Sequence, residues 1–422
     1  MSDINITKFL LDLKEDNFVC DDKFSSDLIL LPNGVTAKRI FLKSTNPFIV
    51  CPHCGQLLYK LHDYRSINLK HLFCGQQPLI ICIRKKRFHC DACNTHVTEK
   101  LNCVNKNCFI STSVHQSITF SLRSIVSLKA IAAQHNVSTS TVYRNLQKVE
   151  EVKRPKHLPQ VLSFDEFRAN TTDGKYAFLV VDPMKKQVLE ILGDRKFSTV
   201  YKYFASFSRK IRKQVKYIIS DLWEPYRQIM KKLFPNATMV ADKFHYQRVV
   251  NTAMNSVRKR VCSSLTKQQA YFIKKNWRLL NKNFNNIDDS KRRYSYFLKR
   301  PASDFEILNF ILSLSSELAE AHSLYQDFLC LISLENQKHQ TQLLEQWLKN
   351  VEEKDIPELQ SVIKTIKKWK EPICASFGRH NGCKLSNGFI EGTNNKIKVI
   401  KRVSFGYRSF INFRKRILLV FC

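Results

Sequence analysis

Two short cysteine motifs constrain this chain more tightly than anything else in its sequence. Cys51-Pro52-His53-Cys54-Gly55 and Cys90-Asp91-Ala92-Cys93 are C-x-x-C turns separated by 35 residues. Such a turn sets two thiolates about one tetrahedral edge apart, and two of them together close a structural Zn²⁺ site. Gly55 suits the tight turn after the second thiol. The apolar run Pro78-Leu79-Ile80-Ile81 between the knuckles suits a ribbon hairpin. Buried free thiols are the competing reading, and pairing of the knuckles speaks against it. Two such motifs also speak against a redox C-x-x-C. Cys74, Cys82, His53, His89 and His96 read as non-ligands, and Cys103-x4-Cys108 is not read as a second site.

The remaining composition narrows the class. The chain has 422 residues with a net charge of +33, an excess that points to a polyanionic partner. No run of 18 apolar residues is present, which disfavours a membrane span. The start, Met1-Ser2-Asp3, lacks the basic and apolar regions of a signal peptide. A cytoplasmic setting is therefore expected, with the 14 cysteines as free thiols or metal ligands. The partner is then expected to be nucleic acid. Lys85, Lys86 and Arg87 beside the second knuckle fit contact with DNA phosphate.

Residues 1–45 carry no usable motif, 46–110 form the cysteine module, and 111–152 read as helical. Within the last segment, Ser127 to Leu146 fits a DNA-binding helix-turn-helix. Leu128, Ile131 and Ala132 face inward, Asn136 takes a left-handed turn, Val137 plugs it and Ser138 caps the second helix. Val142 and Leu146 share that helix's buried face. Thr139, Ser140, Tyr143 and Arg144 are left for the major groove. An ordinary helical hairpin shares the apolar pattern.

Past the basic linker Lys153-Arg154-Pro155-Lys156-His157-Leu158-Pro159 the pattern changes to short strands. Strands are predicted at 161–165, 176–181, 187–192, 215–219 and 237–241, with helices at 197–212 and 223–233. This β-β-β-α-β-α-β order is the ribonuclease-H-like arrangement. It brings Asp165 and Asp221, at two strand ends, to one edge. Hard carboxylate oxygens there suit Mg²⁺. A third ligand is expected on a later helix. In Ser386 to Lys398, Glu391, Asn394, Asn395 and Lys398 fall on one face at i, i+3, i+4 and i+7. Taken singly, each acid has an ordinary reading as a cap or a surface residue. Trp223, Trp277, Trp347 and Trp369 read as core.

In order and together these stretches resemble the transposases of the ISL-three family of bacterial insertion sequences. The likeness rests on the two knuckles, the helix-turn-helix, Ser163-Phe164-Asp165-Glu166-Phe167 and Ser220-Asp221-Leu222-Trp223-Glu224-Pro225-Tyr226. It continues through Ala241-Asp242-Lys243-Phe244-His245 and Phe389 to Lys398, followed by Arg402 and Phe405-Gly406-Tyr407-Arg408. It covers nearly all of the chain from Cys51 onward. The resemblance implies a multidomain α+β protein: a zinc-ribbon-like module, a helix-turn-helix, and an α/β ribonuclease-H-like DDE domain with a large all-α insertion. The catalytic domain would span 160–255 and 376–422, and the insertion 256–375.

By residue, the resemblance gives Asp165, Asp221 and Glu391 the catalytic triad positions, holding two Mg²⁺ (or Mn²⁺) ions. Cys51, Cys54, Cys90 and Cys93 would hold the structural Zn²⁺. Asp242 and His245 would play a supporting role. Asn394, Asn395, Lys398, Arg402 and Arg408, with the rest of the basic tail from Lys396 to Arg416 and the stretch Lys291-Arg292-Arg293, would contact DNA. The implied function is a transposase that binds terminal inverted repeats and joins them to target DNA, as a homodimer or larger assembly at the bacterial nucleoid, with no membrane role. The rival is a zinc and helix-turn-helix DNA-binding regulator with an inactive ribonuclease-H-like domain.

Overall fold

A computed structural model describes residues 17–150 and 155–421. They fall into two compact units, one within Met1–Val152 and Ile397–Cys422, the other within Lys153–Lys396. No helix of the described residues is long and apolar enough to cross a membrane.

The first unit begins as a sheet. Its strands are β1 (Phe18–Cys20), β2 (Asp27–Leu30), β3 (Thr36–Ser44), β6 (Leu61–Cys74), β7 (Gln77–Cys90) and β8 (Thr95–Thr98); β4 (Ile49–Val50) and β5 (Leu57–Leu58) pair separately. The expected hairpin is β6–β7. β7 is central, lying between β6 and β3, with β3 parallel to it. A strand covered on both faces reads as a continuous apolar run. Leu79, Ile80, Ile81 and Ile83 are accordingly all buried. Residues 17–45, which carry no motif, supply β1 to β3. Their lysines and arginines break the alternation that would have marked them as strands.

Three helices follow: α1 (Thr112–Ser121), α2 (Leu128–Gln134) and α3 (Thr139–Lys148). Ser111, Ser127 and Ser138 cap them, each accepting the backbone N–H three residues on. A cap of this kind stabilises by about 1 kcal/mol. Asn136 turns the chain between α2 and α3 at φ +48°. Lys70 of β6 donates to its carbonyl at 3.0 Å, fixing the turn to the sheet. Val114, Ile118, Ile131, Ala132, Val142 and Leu146 form the helices' common core.

The second unit is built on a five-stranded sheet of order β11-β10-β9-β12-β13. β9 (Val161–Arg168), β10 (Tyr176–Asp182) and β11 (Gln187–Leu192) form an antiparallel meander. The chain then runs through α4 (Phe197–Ala205), α5 (Arg209–Lys213), β12 (Tyr217–Ser220), α6 (Glu224–Leu233) and β13 (Thr238–Ala241). β12 lies parallel to β9, and β13 parallel to β12. The single helix expected at 197–212 is two, because Ser208 caps a new start. One face of the sheet, with Leu162, Phe164, Phe178, Val180 and Ile218, packs with Val200, Phe204, Ile229 and Leu233 from α4 and α6. The other face, with Val161, Ile219 and Val240, packs with Leu385.

After β13 the chain is helical, as expected: α7 (Lys243–Ser264), α8 (Lys267–Asn281), α9 (Asp304–Ser313), α10 (Ser316–Ser333), α11 (Gln337–Glu352), α12 (Pro357–Lys368) and α13 (Lys370–Ser376). A short hairpin at 293–302 interrupts it. There Arg293 pairs with Asp304 at 3.1 Å and Lys291 with Asp288 at 3.8 Å.

The last helices are α14 (Gly388–Val403) and α15 (Phe410–Phe421). α15 packs in the first unit, where Leu419 enters the core of α1 to α3. Arg416 is 0% exposed and donates to the carbonyls of Leu122, Ser124 and Val126. Lys415 donates to Gln147 O and Val149 O. The tail was expected to hold phosphates as far as Arg416. Its last two cations are instead interior groups that satisfy loop and helix-end carbonyls. Two tryptophans also depart from expectation: Trp347 and Trp369 are buried, but Trp223 and Trp277 are 36% and 38% exposed.

Candidate active site and metal centre

Each cysteine knuckle is the turn of a hairpin. The first joins β4 to β5, and the second joins β7 to β8. Gly55 at φ +76° and Asn94 at φ +48° occupy equivalent places after the second thiol of each. The Sγ atoms of Cys51, Cys54, Cys90 and Cys93 all lie within 4.8 Å of one another, with Cys54 and Cys90 3.6 Å apart. Tetrahedral zinc with Zn–S near 2.3 Å needs S–S edges of about 3.8 Å. The backbone N–H groups of Cys54 and His53 pull the Cys51 thiol down to about 6, while Cys54 and burial push Cys93 up to about 12. Four sulfurs at this spacing carry charge together only around a cation, so the donor set fits Zn²⁺. Cys82 and Cys103 are buried elsewhere, and Cys74 is exposed.

The carboxylates are positioned by sheet register. Ile219 is level with Ser163, so two residues further Asp221 stands level with Asp165. Ser220 is level with Ala241, so one residue further Asp221 stands beside Asp242. The three aspartates form a row across β9, β12 and β13 on the face of Ile219 and Val240, because alternate residues share a face. The start of α14 is anchored to that same face. Ser163 Oγ donates to Asn387 Oδ1, and Asn387 O accepts the N–H groups of Ile390 and Glu391. One helical turn on, Asn394 Nδ2 donates to Asp165 Oδ2 at 2.5 Å. Glu391 lies exposed at this end of the helix, close enough for its charge to act on Asp242.

His245, in the first turn of α7, places Nε2 2.9 Å from Asp221 Oδ1 and 3.8 Å from Asp242 Oδ2. Asp242 also caps α7, accepting from Phe244 N. Burial, reinforced by the charge of Asp221, raises the Asp165 carboxyl to about 7. Burial likewise raises Asp242, with Asp221 and Glu391 adding to it. Burial opposes the charged form of His245, but the contact with Asp221 and the charges of Asp221, Asp242 and Asp165 outweigh it and raise its pKa. Asp221, Asp242 and His245 bring potential ligand atoms within 4.8 Å of one another. Like charges packed this closely, with hard oxygen donors, fit a divalent cation.

The row thus brings Asp165, Asp221, Asp242 and His245 together, with Glu391 beside them. Asn394 is 8% exposed and turns to Asp165, whereas Asn395, Lys398 and Arg402 lie exposed along α14, and Arg408 is exposed beyond it. Thr139, Ser140, Tyr143 and Arg144 are exposed on α3. The Tyr143 hydroxyl accepts from Asn412 Nδ2 at 2.7 Å. The sequence reading missed Glu166, which points to the opposite face from Asp165. It accepts from Tyr226 at 2.8 Å and pairs with Arg195. Its position directly after a site residue in a strand was the available signal.

Comparison with known proteins gives the family. Residues 162–417 match the ISL3 family model described as a transposase, and residues 47–93 match the zinc-finger of transposase IS204/IS1001/IS1096/IS1165. The transposase for insertion sequence element IS1001 of Bordetella parapertussis is 25% identical over 380 residues, covering 87% of this chain and 88% of that protein. A Lactococcus lactis subsp. lactis protein named ATP-dependent protease is 31% identical over 138 residues, 32% of this chain and 41% of its own length. The zinc-finger match encloses all four clustered cysteines, which supports a structural Zn²⁺ site in a DNA-binding module. With the larger match running from β9 into α15, the chain belongs to the ISL3 family of transposases.

Proposed function

We propose that the chain is a DDE-type transposase that cuts and joins DNA with Asp165, Asp221 and Glu391, supported by Asp242 and His245. The observation that carries this reading is the level row of three aspartates on adjacent strands, with α14 anchored over the same face. Three antiparallel strands followed by two parallel ones support a ribonuclease-H-like core. Its catalytic domain takes in 160–255 and α14, with 256–375 as a helical insertion. α2 and α3 act as a helix-turn-helix, with Thr139, Ser140, Tyr143 and Arg144 toward the major groove.

Mg²⁺ or Mn²⁺ held by these carboxylates would activate the attacking oxygen and neutralise charge on the leaving one. The chain's own groups prepare the geometry. Asn394 and the Glu166 N–H fix the plane of the Asp165 carboxylate. His245 holds the Asp221 carboxylate from the side of α7. Asn395, Lys398, Arg402 and Arg408 provide polar and cationic groups for the DNA backbone, so binding should weaken steeply with salt. The substrates are the terminal inverted repeats and target DNA. Holding two ends at once calls for a dimer or larger assembly, working in the cytoplasm at the nucleoid.

A strand-transfer assay with the native element ends tests this. Mg²⁺-dependent cleavage followed by joining is expected, and it is lost in Asp165→Ala, Asp221→Ala and Glu391→Gln while zinc content and thermal stability persist. Cleavage that survives in these folded variants would refute the triad. End binding with no cleavage in Mg²⁺ or Mn²⁺ would make the chain a DNA-binding regulator.

A further inference from the structure

Beside the carboxylates, the second unit has an open-sided cavity of about 680 Å³. Asp221 and His245 form part of its wall, so an occupant lies next to the proposed reaction centre. Two helices contribute hydrogen-bonding groups. α7 supplies Arg248 and Thr252, and α12 supplies Ser361 and Thr365, each pair four residues apart on one helix face. Trp223 completes the lining just before α6, with Tyr226 edge-on to it at 4.6 Å.

Three features of this cavity leave groups open to an occupant beyond their own packing, in which the Trp223 ring meets Tyr226 and, at 5.6 Å, the Arg195 guanidinium. Trp223 leaves 36% of its surface exposed, whereas Trp347 and Trp369 are 2% and 4% exposed. The Arg248 guanidinium is exposed and makes no ion pair among the described residues. The hydroxyls of Thr252, Ser361 and Thr365 each donate to a carbonyl of their own helix. Their oxygens retain lone pairs for an incoming N–H donor.

We propose that this cavity receives one unstacked nucleobase of the DNA strand being cut. The base stacks on Trp223, the adjacent phosphate meets Arg248, and the helix hydroxyls accept from the base's N–H groups. The proposal rests on the transposase reading of the neighbouring carboxylates. The cavity's size is that of a small-molecule site. A duplex is too wide for it, so only an extruded nucleotide enters. Stacking on an aromatic ring is tolerant of base identity, as required at a junction between an element end and variable flanking DNA. Extrusion fixes the phosphate next to the flipped sugar, which positions the scissile bond over the aspartate row.

The test uses the full chain and element-end duplexes carrying 2-aminopurine at single positions across the cleavage point, in Ca²⁺ so that the DNA stays whole. One position should change its fluorescence severalfold on binding. The change should be lost in Trp223→Ala and kept in Trp223→Phe. In Mg²⁺, Trp223→Ala should cut intact ends about 5- to 150-fold more slowly, the range expected for one stacked base. That defect should vanish when the same position is abasic, since no base remains to be stacked. Arg248→Ala should lower the salt slope of end binding by about one. The proposal is overturned if no position responds although ends are bound and cut, or if Trp223→Ala cuts intact ends at the wild-type rate. Ends that are bound but never cut would sink the carboxylate reading instead, and the Ca²⁺ fluorescence would still report on the cavity.

Discussion

Replacing Arg416 by Met separates a structural cation from a DNA-binding one. Arg416 is fully buried in α15, and its guanidinium serves three carbonyls, those of Leu122, Ser124 and Val126. Met retains most of the stem volume but none of the donors. Leaving a buried acceptor unsatisfied costs about 1–3 kcal/mol; Ser124 O keeps the Val126 N–H, so the other two sum to roughly 2–6 kcal/mol. Part of this is offset. Burial pulls the Arg416 pKa below its usual value, and its Nε has no hydrogen-bond partner, so losing the charge relieves desolvation. A net loss of about 3–5 kcal/mol is expected, typical of removing one partner from a buried charged network. In a unit of this size each kcal/mol lowers Tm by about 2–4 °C, so the melting transition should fall by roughly 10 °C. Scanning calorimetry of the zinc-loaded protein measures that fall, and hydrogen exchange should show amide protection dropping around 122–126. Arg416→Lys should recover only part of it, because one ammonium cannot span three carbonyls. The affinity for element ends should drop while its salt slope stays fixed, since a buried cation neutralises no phosphate. A Tm within 2 °C of wild type, or a slope reduced by about one, would refute the reasoning.

The cysteine cluster, the partner of Asp165 and the buried His322 each carry a further prediction. Cys90→Ser should cost the protein the zinc of the four-cysteine cluster, measured by metal analysis, and should unfold the knuckle region while the second unit's melting transition persists. Asn394→Ala removes a charge-assisted hydrogen bond from Asp165, worth about 1.5–3 kcal/mol. Mg²⁺-dependent cleavage should then slow about 10- to 150-fold with end binding unchanged, and an unaltered rate would remove Asn394 from the site. His322 is buried neutral in α10, and burial lowers its pKa to about 4. The unfolded chain therefore takes up the proton first as pH falls. The contribution is complete above about pH 6.5 and is lost progressively down to about pH 4, about 3 kcal/mol in all. Chemical denaturation at several pH values should show a shallower slope over that window in His322→Gln than in wild type.

The parts of the molecule that were legible in sequence are those set by local chemistry. The knuckles, the serine caps, Asn136 and the alternating strands β9 to β11 each announce themselves within a few residues. Asp165 and Asp221 were legible as neighbours because adjacent strands bring residues level with one another, although Asp165 lies within β9 and not at its end. What could not be read depends on distant partners. The strands at 17–45 become strands by pairing, β3 with β7 and β1 and β2 with β3, not by their own pattern. Lys415 and Arg416 look like surface cations until the carbonyls they serve are seen. The helix face of Glu391 was expected to present Asn394 to DNA. The Ser163–Asn387 anchor, across 224 positions of chain, turns Asn394 to Asp165 instead. Trp223 carries the same letter as Trp347, and only the cavity beside it distinguishes their roles.

The level row of aspartates also dictates where this protein can change length. Strand spacing of about 4.8 Å fixes the distance between neighbouring carboxylates, and no side-chain substitution alters it. Adding one residue within β12 would carry Asp221 about 3.3 Å along and turn it to the opposite face. The same insertion between α7 and α13 leaves the row untouched, provided Asn387 still returns to Ser163. Change in length is therefore tolerable for the row between α8 and α11, whereas α7 must keep His245 beside Asp221 and β9, β12 and β13 admit no insertion.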